Sequence, residues 1–164
     1  MSATPPTDPW PLPELTRARR AIVVVDVVES VRLMLEDEAG FIDRWRRFVH
    51  EVRTEVLPKH GGRMVKSLGD GMLLTFESVP AATAAVFGMQ LLACADKAGD
   101  ALPLRVGVHS SEIAIDDLDV YGAGVNLAAR LAGVGAAGGI VASADARDAL
   151  VADVDASIED LGDC

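Results

Sequence analysis

Gly61-Gly62-Arg63-Met64-Val65-Lys66-Ser67-Leu68-Gly69-Asp70-Gly71-Met72-Leu73-Leu74-Thr75-Phe76 reads as two short strands joined by a tight Gly-Asp-Gly turn. The strand runs are Met64 to Ser67 and Met72 to Phe76. An Asp-Gly pair between such runs is a strong local hairpin signal. The turn glycines tolerate positive φ and leave the Asp70 carboxylate at the tip unshielded. Turn chemistry alone accounts for an isolated Gly-Asp-Gly, so a role for Asp70 needs support from elsewhere in the chain.

That support lies upstream, in Ala21-Ile22-Val23-Val24-Val25-Asp26-Val27-Val28. A continuous β-branched run without alternation predicts a strand buried on both faces, at the centre of a sheet. Asp26 interrupts it. A carboxylate inside a central strand is costly unless it is paired, hydrogen-bonded or bound to metal. The competing reading is an Asp that caps the next helix; Ser30 is a second candidate cap for a helix beginning near Val31.

The whole chain has 164 residues, enough for one domain with its own core, and half of them are apolar. Aromatic residues are scarce, so the core is expected to be built from Val, Leu, Ile and Ala. A net charge of −10 argues against a nucleic-acid binder and against an anionic membrane surface. An acidic protein that handles a polyphosphate needs metal cations or a local basic cluster at its site. Cys94 and Cys164 form no disulfide framework, which fits a reducing, cytoplasmic setting; Cys94 falls in a helical apolar pattern and is expected to be buried. No signal peptide and no apolar run of membrane-spanning length is visible.

Residues 1–18 read as a flexible leader ending in a basic lead-in, and 19–164 as one domain. Phe41 to Leu57 predicts an amphipathic helix with Phe41, Trp45, Phe48, Val49, Val52 and Val56 on one face, stopped by Pro58. Its charged face reads as solvated, and His50 as an ordinary surface or boundary histidine rather than a ligand. Ser78 and Pro80 open a helix rich in Ala and Leu that runs to about Asp96. Leu104 to His109 is a strand that resumes at Glu112 to Ile115, with His109 read as structural; Asp116 to Asp119 is an acidic loop. Val125 to Ala132 forms a helix with Val125, Leu127, Ala128 and Leu131 inward and Asn126 and Arg130 together on another face. Ile140 to Ala142 is a short strand, Ser143 caps a helix ending near Val151, and Ser157 to Leu161 begins a last strand. The order predicts an α/β sandwich of α+β type, with a mixed, mainly antiparallel sheet flanked by helices.

Four segments in this order resemble the successive motifs of class III nucleotide cyclase catalytic domains of bacterial type. They are Val25 to Ser30, Gly62 to Gly71, Val106 to His109, and Asp119 to Gly122 followed by Val125 to Leu131. The resemblance implies a ferredoxin-like core related to polymerase palm domains, and a head-to-tail homodimer with active sites shared between subunits. It implies that Asp26, Asp70 and the backbone carbonyl of Val27 hold two Mg²⁺ or Mn²⁺ ions. Lys66 matches the residue that reads adenine N1, and Asp119 the acceptor for the adenine amino group. Asn126 matches the residue that orients the ribose, and Arg130 the one that stabilises the pentavalent phosphate. The implied function is an adenylate cyclase, a phosphorus–oxygen lyase acting in intracellular signalling that turns ATP into 3′,5′-cyclic AMP and pyrophosphate. The implied setting is cytoplasmic, with regulatory domains elsewhere in the native chain.

The sequence departs from the pattern at three places. Glu29 stands where the family has glycine, and Val31 where it has Thr; Gly122-Ala123-Gly124 replaces Gly-Asp-Thr or Gly-Asn-Thr. The family also continues beyond the position of Gly162 into strands carrying a phosphate-binding lysine, so the chain is expected to lack the last strands of the fold. These departures keep open a second reading, a catalytically weak or silent cyclase-homology domain that binds nucleotide or dimerises. A diguanylate cyclase is disfavoured, since the turn is Gly69-Asp70-Gly71 rather than that family's Gly-Gly-(Asp/Glu)-Glu-Phe.

Overall fold

A computed structural model describes residues 10–94, 101–151 and 159–162. The elements are β1 (Thr16–Val27), α1 (Ser30–Glu51), a π-helical turn over Val52–Val56, α2 (Leu57–His60), β2 (Arg63–Ser67), β3 (Gly71–Phe76) and α3 (Val79–Cys94). There follow β4 (Leu104–Ile115), β5 (Val120–Tyr121), α4 (Ala123–Val134), β6 (Ile140–Ala142) and α5 (Ala144–Val151). One sheet runs β2-β3-β1-β4-β5, antiparallel throughout, with β6 added parallel to β4. This is the predicted α+β architecture. The run Ala21 to Val27 lies at its centre, with Val23 opposite Leu74 on one side and Val108 on the other.

Alternation along the central strands builds two cores. Ala21, Val23, Val25 and Val27 join Met72, Leu74, Phe76, Leu104, Val106 and Val108 beneath α1, the π-helical turn and α3. The intervening Ile22 and Val24 pack with Leu73, Ile113 and Val120 against Ala128 and Ala132 of α4. Gly107 sets how closely α4 approaches: a Cβ there would sit 2.1 Å from the Ala128 carbonyl oxygen. Any side chain at this position would lever the helix off the sheet.

Several expectations are corrected. β1 begins at Thr16, within the stretch read as leader, and Thr16 to Arg20 pair with Ile115 to Ser111. An antiparallel ladder needs only backbone groups, so the strand outruns its apolar stretch; β4 likewise continues unbroken through Ser110 and Ser111. Residues 1–9 lie outside the described part. Pro58 does not stop the helix: the widened turn at Val52–Val56 precedes it, and helical geometry continues to His60. Widening a turn moves away the carbonyl that a proline ring would strike. The helix also starts earlier than Phe41, at Ser30, with a break at Asp37, whose Oδ1 accepts the Gly40 N–H at 3.0 Å.

Leu127, assigned to the inner face, is exposed, and so is Cys94. Cys94 follows Phe87 and Leu91 on the outward side of α3, while Ala82, Ala85, Val86, Met89 and Ala93 face the core. Helix α3 is apolar nearly all round, so periodicity could not tell its buried face from its exposed one. Of the expected last strand, Glu159 to Leu161 has no regular structure; Ser157, Ile158 and Cys164 fall outside the described residues.

Candidate active site at the end of the central strands

Asp26 alternates with Val25 and Val27, so its side chain leaves the sheet on the α4 side. It is paired in register with Gly71 of the hairpin and with Arg105 of β4. The Val27 N–H donates to the Asp70 carbonyl at 3.1 Å, which fixes the hairpin tip against the end of β1. The two aspartates, 44 positions apart in sequence, are thereby brought to one end of the sheet. The two turn glycines have different jobs. Gly69 has φ +83, whereas Gly71 admits close approach, since a Cβ there would lie 2.7 Å from the Val25 carbonyl oxygen.

Each carboxylate has a neighbour on one oxygen. Arg105 Nε and Nη2 donate to Asp26 Oδ2 at 2.7 and 2.6 Å, and Arg105 Nη1 donates to the Gly133 carbonyl of α4 at 3.2 Å. The Ser30 hydroxyl donates to Asp70 Oδ2. The charge inside the central strand is therefore paired, as its position demands. Sequence reading missed Arg105, yet a signal was present: it is a lone cation in the apolar run Leu104 to Val108, the counterpart of Asp26 in its own run.

Lys66 on β2 and Asp119 before β5 meet within the chain, Nζ to Oδ2 at 2.7 Å. They come from opposite edges of the sheet order. The meeting is possible because Val120 packs in the same core as Ile22 and Leu73, so the β4–β5 arm folds over the sheet. Asp119 Oδ1 accepts the Val120 N–H at 2.8 Å, and the loop is wound around Asp116, whose Oδ1 accepts the N–H groups of Leu118 and Asp119, both at 2.7 Å. The Lys66 hydrogen bond, foremost, holds the Asp119 carboxyl below its ordinary pKa, and the Asp119 N–H does the same for Asp116.

The family model for the adenylate and guanylate cyclase catalytic domain matches residues 19–164. The chain belongs to this family. A Rhizobium meliloti protein named "Putative adenylate cyclase 3" is 36% identical over 137 residues, covering 79% of this chain and 23% of the relative. An adenylate cyclase of Streptomyces coelicolor is 29% identical over 121 residues, covering 74% of this chain and 31% of that protein. The chain thus spans between about a quarter and a third of the length of the curated relatives it matches. Among solved structures, an adenylate/guanylate cyclase/hydrolase from Silicibacter pomeroyi superposes with TM-score 0.81 at 27% identity, over 91% of this chain and 89% of that one. The adenylyl cyclase CyaB from P. aeruginosa shares the fold, with TM-score 0.75 at 22% identity over 85% and 84% of the two chains.

In this cyclase domain the departures from the family motif have structural consequences. Glu29 takes the left-handed conformation, φ 55 and ψ 33, which explains why glycine suits the position. Its carboxylate turns out to Arg32, accepting from Nη2 at 2.9 Å and Nε at 3.1 Å, so it does not crowd the aspartates. Val31 is exposed. Asn126 and Arg130 lie on the exposed side of α4, and among the described residues neither has a side-chain hydrogen bond or ion pair. Within one chain they do not join Asp26 and Asp70; the link between the groups is Arg105, which touches Asp26 and the end of α4.

His109 is buried, with Nδ1 2.7 Å from the Ser143 hydroxyl, and burial pushes its pKa down. This supports the structural reading. Class III cyclase domains generally use divalent metal ions, and the donor set here fits one. Asp26 Oδ1 and Asp70 Oδ1 are hard oxygens with no hydrogen-bond partner among the described residues, and Val27 adds a nearby backbone carbonyl. No group of three or more His, Cys, Asp or Glu side chains is found among the described residues, so further oxygens would come from backbone, water or substrate. No helix among the described residues is long and apolar enough to cross a membrane.

Proposed function

We propose that this domain is an adenylate cyclase, converting ATP to 3′,5′-cyclic AMP and pyrophosphate by a two-metal-ion mechanism in a head-to-tail homodimer. The observation that carries the choice of base is the 2.7 Å pairing of Lys66 with Asp119. A donor beside an acceptor complements adenine, which presents an acceptor at N1 and a donor at the 6-amino group. Guanine presents the reverse and would leave both side chains mismatched. The names of the two curated relatives support the same substrate.

In this reading Asp26, Asp70 and the Val27 carbonyl hold Mg²⁺ or Mn²⁺, two ions per site. Bound divalent ions activate the ribose 3′-hydroxyl and neutralise charge on the pyrophosphate leaving group. The chain's own residues do the rest. Lys66 and Asp119 separate from each other to hold the adenine edge. Asn126 orients the ribose so that the 3′-oxygen lies in line with the α-phosphate. Arg130 supplies fixed positive charge where it develops in the transition state, and its loss is expected to cost on the order of 10²–10³ in rate.

The exposure of Asn126 and Arg130, away from the carboxylates of their own chain, supports a site completed by a second copy. The reaction belongs in the cytoplasm, where ATP is available, and the share of the relatives' length left uncovered leaves room for regulatory domains. The test is turnover of ATP and GTP in parallel with Mn²⁺ at several protein concentrations. Cyclic AMP formation that rises more steeply than protein concentration is expected. Mixing Asp70→Ala with Arg130→Ala chains should restore activity that neither has alone, by forming one intact site per mixed dimer. No product from either nucleotide would favour the silent nucleotide-binding module instead.

A further inference from the structure

The long helical segment after β1 carries its cations in two groups. Arg32, Arg44 and Arg47 pair with Glu36, Asp37 and Asp43 of the same helix. Arg46, His50 and Arg53 make no side-chain hydrogen bond or ion pair among the described residues. Steps of four and three place these three on one stripe. The stripe runs from α1 into the π-helical turn, which carries Arg53, and such turns occur often at functional sites. It faces the β2–β3 hairpin across an open groove of about 700 Å³. Trp45 and Val49 give the groove an apolar lining, Ser67 and Gly69 form its far wall, and no carboxylate lines it. A Cβ on Gly69 would meet nothing within 4 Å, so the hairpin tip leaves the groove clear.

The groove lies on the opposite side of the sheet from the candidate active site. Ser67 stands opposite Met72, which belongs to the core beneath α1, while Lys66 stands opposite Leu73, which packs on the α4 side. Residues directly opposite on antiparallel strands share a face, so Ser67 turns toward α1 and Lys66 away from it.

We propose that this groove is a second ligand site, which takes a diphosphate, either free pyrophosphate or the diphosphate of a nucleotide. Its size is that of a small-ligand site, and its unneutralised charge, in a chain of net charge −10, selects an anion. Guanidinium forks match the oxygens of phosphates, and Arg46 and Arg53 are about 10 Å apart along the helix axis. Forks that far apart suit an anion with two charged groups, one for each. The site is independent of the cyclase chemistry, since none of its residues is assigned to nucleotide or metal there.

The experiment is a titration of the full chain with pyrophosphate, followed by ¹⁵N–¹H NMR at about 0.15 M salt, where diffuse surface charge is largely screened, and without divalent cations. The chain has two tryptophans, Trp10 and Trp45. The indole N–H signal of Trp45, identified by its persistence in Trp10→Phe, therefore reports on the groove. A saturable shift of that signal is expected. Arg46→Gln and Arg53→Gln should each raise the Kd by about 10-fold or more, the scale of one charge-assisted hydrogen bond. Both arginines are exposed, so neither substitution disturbs the core, and circular dichroism confirms the fold. Lys59→Gln, which removes a nearby cation that does not line the groove, should leave the Kd unchanged. A shift that never saturates, or an equal loss in Lys59→Gln, would mean diffuse surface charge and overturn the proposal. Unchanged affinity in folded Arg46→Gln and Arg53→Gln overturns it as well. A parallel titration with ADP separates the two sources. Tighter binding than pyrophosphate, lost in the same arginine variants, assigns the groove to a nucleotide; weaker binding assigns it to the free anion.

Discussion

The two faces of the sheet are built for different ends. The face under α1 and α3 is closed: Val23, Val25, Met72, Leu74 and Val106 are wholly inaccessible, and the helices above supply Phe41, Phe48, Val52, Val86 and Met89. Among the described residues, the other face carries only α4 and the β4–β5 arm, over a core of seven buried residues. Every side chain assigned a part in the chemistry is on this thinner side or at its rim: Asp26, Asp70, Lys66, Asp119, Asn126 and Arg130. Exposed apolar residues lie on both sides, among them Leu68, Leu118, Tyr121, Leu127 and Val134 here and Leu35, Phe87 and Leu91 on the helices over the closed face. Stability is concentrated on the covered face, and in the proposed function the uncovered face is the one that takes ligand and a second copy.

The largest effect that separates the faces is expected from Asp26→Ala or Asp70→Ala. Activity should fall by three orders of magnitude or more, roughly the scale of a lost essential charged group, with little change in melting temperature. Both members of the Asp26–Arg105 pair keep about three-tenths of their side-chain surface in water (27% and 31%), so neither is left as a dry unpaired charge when the other goes. Retained cyclic AMP formation in either variant would remove the metal assignment. The converse substitution is Phe76→Ala, on the closed face at 1% exposure. It should cost about 3–5 kcal/mol of stability by cavity formation, measured by urea unfolding. A cost near zero would mean that the closed face is not where the fold is held.

How much of this was legible follows the same division. The closed face was readable because local pattern encodes it: the β-branched run at Val23 to Val27, the step of three and four from Phe41 to Val56, and the turn glycines of the hairpin. The candidate site residues were found through family resemblance, supported by the oddity of Asp26 in an apolar strand. What escaped was contact between elements far apart in sequence. Arg105 lies 79 positions from Asp26, and Lys66 lies 53 from Asp119, and no window of sequence holds both members of either pair. The exposure of Leu127 escaped for a related reason. A short helix over a half-covered sheet has only a narrow buried stripe, and the apolar residues beside that stripe are free to serve another surface.

On the thin face, base choice is expected to yield the next effect. Exchanging Lys66 and Asp119 together for neutral residues should reduce the preference for ATP over GTP by about 10- to 100-fold in kcat/KM, the scale of losing hydrogen-bond complementarity to one base. An unchanged ratio would place base reading elsewhere. On the same face, His109, paired in register with Ile22, supplies a smaller, pH-dependent effect. Its pKa is lowered, first by burial and then by Arg19, against the opposing pull of Asp145. The unfolded chain therefore binds the proton more readily, so the stability tied to neutral His109 is complete above about pH 6.5, the usual histidine value, and declines as pH falls towards the folded pKa. Melting temperature measured from pH 8 to pH 5 should fall, and His109→Gln should flatten that slope. An equally steep slope in the variant would show that other groups govern it.

The smallest effect concerns the loop joining the faces. Glu29 is the only non-glycine among the described residues with positive φ, and left-handed geometry costs a residue with a Cβ about 1–2 kcal/mol. Against that stands its pairing with Arg32, which is exposed, and exposed pairs contribute roughly 0–1 kcal/mol. Glycine at this position should therefore stabilise the domain slightly, by about 0.5–1 kcal/mol, since the relief of backbone strain exceeds the lost pair but is offset by the greater freedom of the unfolded chain. Equilibrium unfolding of Glu29→Gly measures that gain. Arg32→Ala run beside it isolates the ion pair, and a loss of stability in Glu29→Gly that matches the loss in Arg32→Ala would mean that the pair, not the backbone, sets the energy of this loop. If instead Glu29→Gly is more stable and its turnover rises, the glutamate is a brake on turnover acting through this loop. A gain in stability with unchanged turnover would confine the departure from glycine to the backbone.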